Sequence, residues 1–217
     1  MIATLFQDGI KETEAVIRDK LAHYPGENIY DSQIQLIKKN IRRKHFMKAE
    51  DIKQVALVGA GMIGYTLALH FAKAGYQVSL YSRTQQTLDK AIESIKSSLT
   101  ALLQGQAGIE SEIEKIISSI KRTRNLDEAI AEAPIIIESV AENLEIKQDL
   151  FKELDQMCPK DTILATNTSV ISITDIACKS QNRNRIVGTH FWFPAHLIPL
   201  VEVVKGKDTS DETMEIT

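Results

Sequence analysis

Three glycines spaced as GxGxxG form the part of the sequence with the most specific chemistry. Gly59, Gly61 and Gly64 follow the apolar run VALV and precede a segment of helical periodicity. In this context the first glycine permits a tight turn, the second lets the backbone approach a pyrophosphate, and the third lets helix and strand pack closely. The unpaired N–H groups at the start of such a helix, here around Met62 and Ile63, attract an anion. The pattern therefore predicts a dinucleotide-binding turn rather than a turn that binds nothing.

The residues after the second predicted strand bear on which dinucleotide binds. A site for a plain ribose normally carries Asp or Glu at this point, where the carboxylate binds the 2′-hydroxyl group. Here the sequence has Ser82 and Arg83. Without the carboxylate a 2′-phosphate is not repelled, and the guanidinium of Arg83 could pair with it through a charge-assisted hydrogen bond. We therefore predict NADP as the cofactor. NAD is the alternative, with Arg83 stacked on the adenine or directed into water.

Polar side chains also follow several of the later predicted strands. Ligands of open α/β sheets bind at the carboxyl ends of the strands. We therefore expect these polar residues to lie on the side where the dinucleotide binds. They are Glu138, Glu142, Asn143, Lys147, Asn167, Ser169 and His190, and Glu202 sits on the strand after His190, flanked by Val201 and Val203.

The elements that must position these residues alternate between strand and helix. After the first strand–turn–helix unit, a long helix capped at Thr84 and a second helix through Ile109–Ile117 are predicted to form an arm between the second and third strands. The third predicted strand is Ile135–Ile137, and a helix over about Glu145–Met157 precedes the strand Thr162–Ala165. This alternation predicts an α/β fold of Rossmann type, with a doubly wound, mostly parallel sheet and an inserted two-helix arm.

The chain is predicted to have three segments. Residues 1–50 are read as a helical N-terminal extension, because apolar residues recur there at helical spacing. Residues 51–206 are read as the dinucleotide-binding domain. Residues 207–217 are read as the start of a helical C-terminal domain that is otherwise absent.

Composition and charge argue against several other classes of protein. A net charge of -3 gives no general attraction to nucleic acid or to anionic lipid. There is no apolar run long enough to span a bilayer and no secretory pattern at the start. The two cysteines, Cys158 and Cys178, have neither metal-binding nor redox spacing. We predict reduced thiols in the cytoplasm, and no metal, membrane or nucleic-acid partner.

In combination, the motifs resemble those of the L-3-hydroxyacyl-CoA dehydrogenase family, which includes 3-hydroxybutyryl-CoA dehydrogenase. The resemblance extends over about residues 52–206 and is carried by VGAGMIG, ESVAENLEIKQDLFKELD, ATNTS, and GTHFWFP with LVEVV. It implies that His190 is the acid/base, that Glu202 pairs with it, and that the hydroxyl of Ser169 bonds the substrate oxygen. It also implies that Glu142 and Lys147 line the cofactor near the nicotinamide ribose. In the same family the two-helix arm helps to hold coenzyme A.

The activity that the resemblance implies is the reversible oxidation of an L-3-hydroxyacyl-CoA, such as 3-hydroxybutyryl-CoA, to the 3-ketoacyl-CoA. A proton must leave the hydroxyl group as hydride leaves the carbon, and histidine titrates near neutrality. A carboxylate bonded to the other ring nitrogen would fix the tautomer and stabilise the imidazolium. His196, in the loop after His190, is a rival base. Asn167, in the same run as Ser169, is predicted to contact the cofactor.

Two departures from the family pattern keep other functions open. Where the family usually has Asn before the proline of the HFFNP run, this sequence has Phe193, whose ring cannot donate a hydrogen bond. A related branch that acts on small hydroxy acids, such as gulonate or carnitine, is therefore an alternative. Family members also continue into a helical domain that carries most of the dimer interface. We expect a homodimer if that domain is present, and a dinucleotide-binding module without turnover is the other alternative.

Overall fold

The structure is a computed structural model, and residues 47–217 are the part of the chain that it describes. The helical extension predicted for residues 1–50 lies outside the described residues except at its end. There, a short 3-10 helix, Ala49–Asp51, leads into the first strand.

In the described part of the chain, seven strands form one sheet. The strands are β1 (Gln54–Val58), β2 (Gln77–Tyr81), β3 (Ile120–Thr123), β4 (Ile135–Glu138), β5 (Ile163–Thr166), β6 (Ile186–Phe191) and β7 (Val201–Lys205). Their order across the sheet is β3-β2-β1-β4-β5-β6-β7. All neighbouring pairs are parallel except β6 and β7. The predicted α/β fold with a mostly parallel sheet is therefore confirmed.

Helices cover both faces of this sheet. They are α1 (Met62–Lys73), α2 (Gln85–Leu102), α3 (Ile109–Ser118), α4 (Leu126–Ile130), α5 (Leu144–Met157), α6 (Ile173–Ile176) and α7 (Asp211–Ile216). Five of them begin at a residue whose side-chain oxygen accepts a hydrogen bond from a backbone N–H in the first turn, which satisfies one of the otherwise unpaired donors there. These capping residues are Thr84, Asn125, Asn143, Ser172 and Ser210.

The core consists of two apolar layers, one on each face of the sheet. One layer joins α1, α2 and α3 to the sheet through residues such as Leu67, Ile95 and Ile116. The other joins α4, α5 and α6 through residues such as Phe151 and Ile176. With both faces covered, β4 and β5 are buried at every position, as expected for the middle of a parallel sheet.

The two-helix arm, formed by α2 and α3, is present, but the strand after it was not predicted. The arm connects β2 to β3, whereas the sequence interpretation took Ile135–Ile137 as the third strand. β3 is a short edge strand with Lys121 and Arg122 exposed at its centre. Because only its two ends are buried, it lacks the apolar run by which the other strands were recognised.

The order of the strands creates a cleft between β1 and β4. The chain runs outward from β1 through β2 to β3 and then returns to the other side of β1 as β4. The carboxyl ends of β1 and β4 therefore lie at the switch point where open α/β sheets bind ligands. No helix in residues 47–217 is both long and apolar enough to cross a membrane.

Candidate active site

The glycine turn between β1 and α1 is built so that only glycine fits at two of its positions. Gly59 has a φ of 117°, and a Cβ atom there would lie 2.6 Å from the carbonyl oxygen of Ser139. A Cβ atom on Gly64 would lie 1.9 Å from the carbonyl oxygen of Gly59. Strand and helix therefore approach as closely as the GxGxxG spacing predicts.

The middle glycine of the motif, Gly61, has open space around it. A Cβ atom on Gly61 would have no neighbour within 4 Å. Gly61 is the N-cap of α1 and offers no side chain to its first turn, so the N–H groups at Met62 and Ile63 face this space without a capping partner. A helix N-terminus of this kind favours an anion. The turn thus has open space beside an uncapped helix N-terminus, and the contact of its five predicted residues with a dinucleotide stays a prediction.

Ser82 and Arg83 lie directly after β2, on the same side of the sheet as the glycine turn. The backbone N–H of Ser82 donates to the carbonyl of Thr123 at 3.3 Å, which ties the end of β2 to the end of β3. The side chain of Arg83 is exposed. No carboxylate occupies the position after β2 where a ribose-binding Asp or Glu would stand.

His190 and Glu202 face each other across the antiparallel pair β6–β7. The two residues are direct partners in the strand register, and Nδ1 of His190 lies 2.7 Å from Oε2 of Glu202. The imidazole is about one quarter exposed, 24%, so one edge of the ring is accessible. The hydrogen bond from His190 is the main cause that holds the pKa of Glu202 below its ordinary value, and the side chain of Trp192 adds to this lowering.

The other ring nitrogen of His190 faces the loop after β5. Its Nε2 lies 3.0 Å from the hydroxyl oxygen of Ser169. Ser169, His190 and Glu202 therefore form a continuous hydrogen-bonded line. Ser169 comes from the loop after β5, His190 from the end of β6 and Glu202 from the start of β7, so one loop and two strands bring the three residues together.

The loop that carries Ser169 is held by Glu142. The carboxylate of Glu142 accepts hydrogen bonds from the hydroxyl of Thr168 and, at 3.3 Å, from the backbone N–H of Ser169. Burial alone would raise the pKa of Glu142. The hydrogen bond from Thr168 and the charge of Lys147 outweigh that effect and leave the pKa lowered. Glu142 is thus ionised at neutral pH and fixes the backbone next to the serine.

The side chain of Lys147 is buried in the protein, whereas the predicted contact with the cofactor would place it at the surface of the site. Its side chain is 1% exposed, and its ammonium group lies 2.6 Å from Glu138 and 3.3 Å from Glu142. Glu138 is fully buried and also accepts hydrogen bonds from the hydroxyl of Thr166 and the N–H of Val140, each at 2.6 Å. The lysine therefore joins a buried carboxylate at the end of β4 to the carboxylate that holds the serine loop. A direct contact between Lys147 and a cofactor stays a prediction.

Asn167 connects two strand ends. Its side-chain oxygen accepts a hydrogen bond from the backbone N–H of Phe191 at 2.8 Å, and its own N–H donates to the carbonyl of Glu138 at 2.8 Å. These bonds fix the spacing between the loops after β4, β5 and β6. The predicted contact of Asn167 with a cofactor also stays a prediction.

The loop from Trp192 to Leu200 carries Phe193 and His196. Phe193 departs from the expected sequence pattern, and His196 is the alternative to His190 as the base. The ring of Phe193 is 44% exposed, next to the 45% exposed Trp192. His196 instead has its Nδ1 buried without a hydrogen-bond partner among the described residues. Burial, then the charges of Lys73 and His70, lower its pKa. His196 thus faces the protein near α1, away from the line formed by Ser169, His190 and Glu202.

Three contributors to the site were not singled out from the sequence. Glu138 was noticed only as a polar strand end, although a charged residue after three isoleucines signals a buried ion pair. Thr168 was read as part of the serine run without a role. Trp192 is one of the aromatic residues of the loop, and nothing in its sequence position indicates that it helps to lower the pKa of Glu202.

Comparison with known proteins places these observations in one family. Residues 54–217 match the family described as "3-hydroxyacyl-CoA dehydrogenase, NAD binding domain". The 3-hydroxybutyryl-CoA dehydrogenase of Clostridioides difficile is 37% identical over 162 residues, which are 75% of this chain and 57% of that protein. The chain thus spans little more than half the length of that relative.

Solved structures agree with the sequence comparisons. The crystal structure of 3-hydroxybutyryl-CoA dehydrogenase from Escherichia coli matches with a TM-score of 0.71 and 38% identity, over 76% of this chain and 34% of that one. That of (S)-3-hydroxybutyryl-CoA dehydrogenase from Ralstonia eutropha also matches with a TM-score of 0.71, at 32% identity, over 75% of this chain and 57% of that one.

Proposed function

This chain belongs to the 3-hydroxyacyl-CoA dehydrogenase family, and we propose that it provides the cofactor site and the proton-transfer residues for the reversible oxidation of an L-3-hydroxyacyl-CoA to the 3-ketoacyl-CoA. The observation that carries the proposal is the line of hydrogen bonds from Ser169 through His190 to Glu202. A protein that only binds a dinucleotide has no need of such a line.

The bonds of His190 assign its two nitrogens different tasks. Glu202 is ionised at neutral pH, so Nδ1 carries a hydrogen and donates it to the carboxylate. Nε2 then keeps its lone pair and can accept the proton of a substrate hydroxyl. The carboxylate stabilises the imidazolium that results. General acid/base catalysis by one positioned side chain is worth about 100- to 10,000-fold in rate.

Ser169 orients the substrate oxygen. Its hydroxyl lies at the accessible nitrogen of His190, so a substrate hydroxyl that binds there lies within reach of both groups. The serine can donate to the substrate oxygen as negative charge develops on it. A bound nicotinamide cofactor would supply the acceptor for the hydride that leaves the carbon. The glycine turn would hold the diphosphate of that cofactor.

We further propose NADP as the preferred cofactor. The absence of a carboxylate after β2 and the exposed guanidinium of Arg83 support this preference. Dissociation constants for NADPH and NADH, measured by the fluorescence of the reduced nicotinamide, test it. A clear preference for NADH that persists in Arg83→Ala would contradict it.

An acyl-CoA substrate, a homodimer and a cytoplasmic location complete the proposal for the whole protein. Phe193 favours a second candidate, a dehydrogenase for a different hydroxy substrate, because its exposed ring stands where the family pattern has a hydrogen-bonding asparagine. The two candidates differ in the substrate that fits beside His190 rather than in the proton-transfer residues.

The test is the absorbance of NAD(P)H with acetoacetyl-CoA as the substrate, with the protein and two variants. We expect His190→Gln to lower kcat by about 100-fold or more. His196→Gln is the matched control and should leave kcat unchanged, because that ring faces α1. A near-normal rate in His190→Gln would remove this residue from the mechanism. Turnover of small hydroxy acids but not of acetoacetyl-CoA would favour the second candidate.

A further inference from the structure

A second arginine lies beside Arg83, on the strand that the sequence interpretation did not recognise. Arg124 directly follows β3, and its Nε donates a hydrogen bond to the carbonyl oxygen of Arg83 at 3.2 Å. β2 and β3 are parallel, with Tyr81 opposite Thr123. Arg124 therefore leaves the carboxyl end of the sheet one residue before the level of Arg83, which explains how it reaches the carbonyl oxygen of Arg83.

The charge of these two arginines is not used within the described part of the chain. Among residues 47–217, neither Arg83 nor Arg124 forms an ion pair with a carboxylate. The two basic residues within β3 differ in this respect. Lys121 lies 2.8 Å from Glu128, and Arg122 lies 3.8 Å from Asp89.

The hydrogen bond to Arg83 also determines which N–H donors of Arg124 remain available to a ligand. A guanidinium has five N–H donors in a fixed planar fork. Because Nε is taken by the carbonyl oxygen, the two terminal nitrogens remain to bind an anion. A planar pair of donors matches the geometry of a phosphate.

The helix that follows adds to the positive potential. Helix α2 begins directly after Thr84 and has no acidic residue in its first turn. Its N-terminus therefore contributes a partial positive charge that no side chain there neutralises. Arg83, Arg124 and the N-terminus of α2 are thus neighbours after β2 and β3, where Ser82 replaces a ribose-binding carboxylate.

We propose that Arg124 is a second ligand of the 2′-phosphate of NADP, so that the cofactor is selected by a pair of arginines from the ends of β2 and β3. The inference rests on the proposed function in one respect, since it requires that a dinucleotide binds at the glycine turn. It adds a specificity-determining residue that acts on the 2′-phosphate alone and has no part in proton transfer.

The test compares binding with and without the 2′-phosphate, so it needs no turnover. Arg124→Gln should raise the dissociation constant of NADPH by about tenfold, the effect of losing one hydrogen bond to a charged group. The dissociation constant of NADH should stay unchanged. The same contrast should appear between 2′,5′-ADP and 5′-AMP, and Arg124→Lys should lie between the two extremes.

Arg122→Gln is the matched control, because it removes a neighbouring arginine whose partner is Asp89. It should change neither dissociation constant, and the melting temperature of each variant checks its fold. An Arg124→Gln variant that binds NADPH within twofold of the wild type, or that loses NADH equally, would overturn the two-arginine site while the dinucleotide site stands. Failure of the wild type to bind either dinucleotide would remove the proposed function and this inference together.

Discussion

Replacing the buried lysine of the site with methionine should destabilise the protein strongly. Lys147 and Glu138 lie 2.6 Å apart, and their side chains are 1% and 0% exposed. In Lys147→Met, Glu138 keeps its bonds from Thr166 and Val140 but loses its only cationic partner among the described residues. Removing one member of a buried pair leaves an uncompensated charge and costs about 3–5 kcal/mol. Because two donors to Glu138 remain, we expect the lower end of that range.

An exposed ion pair of the same length provides the control. Lys179 lies 2.6 Å from Asp149, but these side chains are 36% and 62% exposed. Water and salt screen such a pair, and its contribution to stability is small. Lys179→Met should therefore leave the free energy of unfolding almost unchanged. The two variants remove the same group from shortest contacts of equal length, but Lys147 also has Glu142 at 3.3 Å, so their difference measures burial together with this second contact.

Urea denaturation with linear extrapolation measures both effects. The double variant Glu138→Gln/Lys147→Met should recover most of the loss, since replacing both members of a buried pair is often nearly neutral. The reasoning is refuted if Lys147→Met costs no more than Lys179→Met. It is also refuted if the double variant is less stable than Lys147→Met, because the remaining charge would then not be the cause.

Three further predictions concern the turn, the histidines and the cysteines. Gly64→Ala should abolish NADH binding measured by fluorescence, because the new Cβ would lie 1.9 Å from a backbone oxygen of the same turn. Burial lowers the pKa of His70 and His196 below the ordinary 6.5. As the pH falls, these two histidines therefore become protonated in the unfolded chain before they do in the folded chain. The melting temperature should fall as the pH drops below 6.5, and it should fall less in the double variant His70→Gln/His196→Gln. Burial raises the pKa of Cys158 to about 11, whereas Cys178 is exposed. A thiol reagent at neutral pH should therefore label Cys178 alone until denaturant is added.

Features that depend on short-range patterns could be predicted from the sequence. The glycine turn was predicted because each glycine has a local steric reason that its spacing alone expresses. The common edge of Ser169 and His190 was predicted because the carboxyl ends of parallel strands meet at one side of a sheet. Glu202 reaches the same edge because the chain turns back after β6.

Features that depend on long-range partners could not be predicted in this way. β3 was missed because its exposed centre, Lys121 and Arg122, lacks an apolar run. The burial of Lys147 depends on its ion pair with Glu138. The loop after β4 and the first turn of α5 bring the two side chains together. The position of Arg124 beside Arg83 depends on a pairing across the whole two-helix arm. In each case the contact that matters joins two residues that no repeating sequence pattern identifies as partners.

The antiparallel direction of β7 has a consequence for which residues of this protein can be substituted. Because β7 runs back along β6, His190 and Glu202 are direct partners in one hairpin, and the pairing of the two strands sets their alignment. The loop between the two strands carries the exposed side chains of Trp192 and Phe193. An exchange of Phe193 would therefore leave the strand pairing of His190 with Glu202 unchanged, so the surface beside this pair can vary independently of the pair.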